Sequence, residues 1–160
     1  MKPADRPCFV AIDEFQQITR HGDDADVVAT LYRRFEAVTS YMHRILNVLY
    51  SRTGAGSTCA ASMVDEAIDY ILRMSSDSYE SLFYQMPEKQ RMLFLAIGRE
   101  GKATSVTGGK FIRRNRLNSA SSVSSALKGL LEKDFITEDR GVYSIYDQFF
   151  SLWLKYKGMI

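Results

Sequence analysis

Apolar positions along the chain change period several times. Cys8 to Ile12 (CFVAI) is an unbroken apolar run behind Pro7, the pattern of a strand covered on both faces, and it closes on Asp13 and Glu14. From Asp24 the spacing turns helical, with Val27, Val28, Leu31, Tyr32 and Phe35 on one face. A second stripe of Met42, Ile45, Leu46, Leu49 and Tyr50 breaks at Gly54-Ala55-Gly56. A third, opened by a capping box from Ser62 and Asp65, carries Val64, Ala67, Ile68, Ile71 and Leu72. Residues 75–85 extend it or form a short helix of their own, with Leu82 and Phe83 inward. Such stripes are core at helical spacing and carry no chemistry.

Pro87 suits a first helical position, Leu93, Ala96 and Ile97 give that helix its inner face, and Gly98 with Gly101 end it. Beyond Thr107-Gly108-Gly109 lies a short segment, 110–115. Ser119 then caps a helix with Val123, Ala126, Leu127, Leu130 and Leu131 inward. Two short strands, 135–137 and 142–145, flank a hairpin turn at Glu138-Asp139-Arg140-Gly141. Asp147 caps a last helix with Phe149, Phe150, Leu152, Trp153 and Tyr156. Helix, short helix, second helix and hairpin is the order of a winged helix-turn-helix. The expected fold is therefore mainly α: a lone strand within 1–20, a helical bundle over 24–85, and a winged helix with a β-hairpin wing over 86–160.

Composition narrows the class. With 160 residues, 46% apolar and 12% aromatic, the chain can bury a core, which excludes a disordered tail. No apolar run approaches the ~20 residues that cross a bilayer, so no membrane association is expected. No secretory pattern opens the sequence, and Cys8 and Cys59 lack ligand-like spacing. His21 and His43 stand apart, so no metal site is expected of them. These features suit a soluble, cytoplasmic protein in a reducing compartment.

Charge adds more. Net charge is only +2, yet no Asp or Glu occurs between Gly101 and Leu131, where Lys102, Lys110, Arg113, Arg114, Arg116 and Lys128 stand. The rest of the chain is therefore net acidic. Lys110, Arg113, Arg114 and Arg116 precede the second helix of the motif, whose first turns offer Ser121, Ser122 and Ser125, with Lys128 further along and Arg140 in the wing. Cations and hydroxyls suit contacts to DNA phosphates. A serine-rich helix is poorly equipped to read bases, so a winged helix that contacts protein or regulates is favoured over duplex DNA binding, whether sequence-specific or nonspecific.

Val10 to Ile18 (VAIDEFQQI) resembles the Walker B segment of the archaeal-type (AAA+/STAND) P-loop ATPase family. Similar matches occur in YRRF near Tyr32, at Met86 to Gln90, at Ser119 to Val123, in KGLLEKDFI at Lys128 to Ile136 and in GVYSIYDQFFSLWL at Gly141 to Leu154. The resemblance implies ATP and Mg²⁺ as cofactors, with Asp13 holding the metal and Glu14 as the catalytic carboxylate. It also makes 24–85 a lid-like bundle and 1–20 a remnant Walker B strand. No GxxxxGK[ST] loop is present, and Thr107 to Lys110 does not replace one. The chain is thus expected to be a partial ATPase-family protein that neither hydrolyses ATP nor binds it alone. The N-terminal strand, lacking neighbours of its own type, is expected to pair with a second copy or a partner protein.

Overall fold

The computed structural model describes residues 30, 31, 34, 35, 39–54, 57 and 59–160. The expected strand at Cys8 to Ile12, with Asp13 and Glu14, lies outside the described residues, as do Val27, Val28 and Tyr32. By contact the chain forms two compact units, Met1–Asp69 and Tyr70–Ile160. That division falls earlier than the 85/86 boundary drawn from the sequence.

In the first unit, Leu31 and Phe35 are buried, and helix α1 (Thr39–Arg52) buries Met42, Ile45 and Leu49. Tyr50, expected on that inner face, is 73% exposed: it follows Leu49 by one residue and so turns about 100° off the stripe. Helix α2 (Ser62–Met74) begins in this unit with Val64, Ala67 and Ile68 buried. Asp65, expected to complete a capping box with Ser62, pairs with Arg34.

The second unit opens on the end of α2, which buries Ile71 and Leu72, and on a separate helix, α3 (Ser76–Gln85). Tyr79 and Phe83, four residues apart, form the inner face of α3, whereas Leu82 is 40% exposed and does not join the core. The inner face meets helix α7 (Gln148–Tyr156). Tyr79 stacks on Phe150 at 4.8 Å, and its hydroxyl donates to Asp147 Oδ2 at 2.9 Å. Trp153, fully buried, donates its indole N–H to Ser76 Oγ at 3.1 Å. Phe94 and Phe135 close the cluster around Phe150 at 5.1 and 6.4 Å. These contacts are why α3 belongs with the winged helix rather than with the helices before it.

Between them runs the expected order. Helix α4 (Glu88–Glu100) follows Pro87 and buries Leu93, Phe94, Ala96 and Ile97. The helix ends at Gly101, as expected, with φ of 69°. Gly98 lies three residues earlier. It is buried within the helix, where a Cβ would stand 3.0 Å from Ile145 Cδ1, so glycine lets the strand side chain approach. A two-residue strand, β1 (Ala103–Thr104), follows, too short to show a period along the chain. Then come α5 (Gly109–Arg114), α6 (Ala120–Glu132), β2 (Ile136–Asp139) and β3 (Val142–Ile145). The three strands form an antiparallel sheet in the order β1-β3-β2.

The wing turn is tighter than its sequence suggested. Glu138 and Asp139 pair with Tyr143 and Val142, which leaves only Arg140 and Gly141 in the turn. Both are left-handed, with φ of 50° and 80°. This is the two-residue geometry whose twist matches that of paired strands. The Glu138 carboxylate accepts from the Gly141 N–H and closes the loop.

Candidate nucleic-acid interface

Helix α5 is six residues long, and burial of Phe111 and Ile112 decides its orientation. With those two inward, Lys110, Arg113 and Arg114 are left in solvent. The helix closes with Leu117 N–H donating to Ile112 O at 2.9 Å and Arg116 N–H to Arg113 O at 3.2 Å. That pair of bonds needs a left-handed residue after the cap, a place usually held by glycine. Here it is Arg116, with φ of 53°. Holding a side-chain-bearing residue there costs roughly 1 kcal/mol.

Ser119 caps α6 as expected, its hydroxyl accepting from Ser122 N–H at 3.3 Å. Val123, Ala126, Leu127 and Leu130 face the core. The opposite face, at helical spacing, presents Ser121, Ser125, Lys128 and Glu132. Ser122 does not share this outer face. It is half-buried and lines a shallow recess with Lys89 and Met92 of α4, Leu117, Asn118 and Val123. In the wing, Arg140 is 93% exposed.

Nearby acids take up some of these cations. Arg114 lies 3.4 Å from Glu100, Lys128 lies 3.7 Å from Glu132, and Arg140 lies 3.9 Å from Asp139. Among the described residues no ion pair engages Lys110, Arg113 or Arg116. The free positive charge therefore sits on α5 and its closing turn, beside the N-terminus of α6.

The same turn borders a larger hollow that sequence reasoning missed. Met92, Leu95 and Arg99 of α4, with Arg114, Asn115 and Arg116, line an open basin of about 360 Å³. The i, i+3, i+7 spacing of Met92, Leu95 and Arg99 would have placed them on one helix face, but nothing in it pointed across to the α5–α6 turn.

Among the described residues no group of three or more His, Cys, Asp or Glu side chains is placed to hold a metal, and no helix is long and apolar enough to cross a membrane. Cys59 is a free thiol, and His43 is exposed on α1.

A three-helix core, a three-stranded sheet and a hairpin wing in this order define a winged helix-turn-helix protein. A family model described as "Probable winged helix domain" matches residues 77–156, and the chain belongs to that family. The matched segment begins inside α3 and ends with α7. No curated protein and no solved structure matches the chain.

Proposed function

We propose that the winged helix binds duplex DNA through its phosphate backbone, with little preference for sequence. The observation that carries this reading is the cationic surface of α5 and its turn, where Lys110, Arg113 and Arg116 have no ion-pair partner among the described residues. Ser121 and Ser125 on α6 can donate to phosphate oxygens, and Lys128 and Arg140 can join by exchanging their carboxylate partners for phosphates. Short hydroxyls do not supply the bidentate pairs that tell bases apart, so sequence reading by α6 is weak.

Fluorescence anisotropy with a labelled duplex, titrated over a range of salt, tests this. Neutralising three to five phosphates gives a slope of log K against log salt of about −3 to −5, with similar affinity for unrelated sequences. Absence of binding at low salt, or a slope near zero, refutes it.

A second reading is favoured by the wing, where Glu138 and Asp139 directly precede Arg140 and would repel a phosphate backbone. In that reading the winged helix contacts a protein instead and acts as a regulatory module. Failure to bind any duplex would favour it.

ATP and Mg²⁺ binding at Asp13 and Glu14, and pairing through the N-terminal strand, rest on the ATPase-family resemblance and the apolar run of the first residues, which lie outside both the described residues and the matched segment. Phosphate release by the purified chain is expected not to exceed that of an Asp13→Ala/Glu14→Ala variant.

A further inference from the structure

We infer that the basin between α4 and the α5–α6 turn is a binding site for a small organic dianion, a phosphate monoester or dicarboxylate carrying an apolar body. Three arginines border one hollow. Arg99 comes from α4, and Arg114 and Arg116 come from either side of Asn115. Guanidinium forks match carboxylate and phosphate oxygens in pairs, a geometry that isolated lysines do not offer.

Among the described residues the only acid paired with these arginines is Glu100, 3.4 Å from Arg114, so the hollow keeps an excess of positive charge. Its other lining is Met92 and Leu95, an apolar patch that a bare inorganic anion would leave unused. About 360 Å³ lies at the small end of the range for small-molecule sites.

The turn itself adds a second, independent observation. Arg116 occupies a left-handed position where glycine would be easier, with φ of 53°. Such a residue points to a use for its side chain, and here the residue borders the basin. Asn115 is fixed by donation from its side-chain amide to Phe111 O at 3.1 Å, which holds the segment between the two arginines in place.

This binding does not depend on the duplex reading. If that reading also holds, an anion seated here would draw Arg114 and Arg116 away from DNA, and a metabolite could regulate the winged helix.

The test is a titration of the ¹⁵N-labelled full chain, followed by amide shifts, with phenyl phosphate, phthalate, inorganic phosphate and neutral benzyl alcohol as probes. Saturable shifts are expected for phenyl phosphate or phthalate at Met92, Leu95, Arg99 and residues 114–117, in the millimolar range or tighter. Inorganic phosphate should bind at least about threefold more weakly, and benzyl alcohol should not saturate. Whichever aromatic anion binds tighter tells a phosphate site from a carboxylate site. Arg99→Ala, at an exposed position away from the core, should weaken binding about tenfold without changing the melting temperature. Arg116→Gly, which suits the backbone, should weaken binding about as much while leaving the fold intact and raising the melting temperature. Two results overturn the inference: no saturation by either aromatic anion up to about 20 mM, or shifts spread equally over Lys110, Arg113 and Lys128 and unchanged by Arg99→Ala.

Discussion

Removing one hydroxyl from Tyr79 tests whether α3 is an energetic part of the winged-helix unit. The Tyr79 hydroxyl donates to Asp147 Oδ2 at 2.9 Å, while Oδ1 of the same carboxylate accepts from Phe149 N–H, also at 2.9 Å, and caps α7. Asp147 thus has two separable jobs. Tyr79→Phe removes a hydrogen bond to a charged acceptor and should lower stability by about 1–2 kcal/mol. Asp147→Ala removes the cap, worth about 1 kcal/mol, loses the same bond and strands a part-buried hydroxyl, for about 2–4 kcal/mol in all. In a Tyr79→Phe background only the cap remains to be lost, so Asp147→Ala should then cost about 1 kcal/mol. The double-mutant cycle should return a coupling of about 1–3 kcal/mol, measured by urea unfolding with the m-value unchanged. Effects that add to within about 0.3 kcal/mol would refute the reasoning and mean that α3 merely lies beside α7.

Other outcomes follow from the caps and charges. Ser119→Ala, which deletes the hydroxyl that accepts from Ser122 N–H, should cost about 1 kcal/mol in denaturant unfolding. Arg116→Gly should raise stability by about 0.5–1 kcal/mol by calorimetry, since glycine takes the left-handed position freely. If the duplex reading holds, Arg113→Ala should make the slope of log K against log salt shallower by about one unit, whereas Ser125→Ala should leave it unchanged.

Much of this fold was legible because its elements announce themselves locally. Ser119 and Asp147 start helices α6 and α7 by side-chain caps, Pro87 stands one position before α4 rather than in its first turn, and the inner faces of α4 and α6 repeat at 3.6 residues. What escaped depends on partners distant in sequence. The strand Ala103–Thr104 exists because β3 lies beside it, not because two residues carry a pattern. Gly98 reads as a helix breaker until Ile145 is seen against it. Arg99 reads as an ordinary surface cation until Arg114 and Arg116 are found around the same hollow.

The charge pattern shows the same limit and bears most directly on function. Read along the chain, residues 101–131 are uniformly basic, and Lys128 on α6 looks as available as Arg113 on α5. Folding brings in acids from just outside that window. Glu100 reaches Arg114 from the end of α4, and Glu132 reaches Lys128 from one turn further along α6. Exposed pairs of this kind are worth little to stability, but they lower the local potential that would attract a phosphate. The charge left over lies on α5 and at Arg116, before the helix that would enter a groove, while the outward face of that helix is mainly serine. A protein arranged this way holds a duplex, if it holds one, by its backbone at the entrance to the motif. Specificity would then have to come from elsewhere. The arginine-lined basin beside that entrance, with its apolar patch, has the charge and shape to couple such backbone binding to a small anion instead.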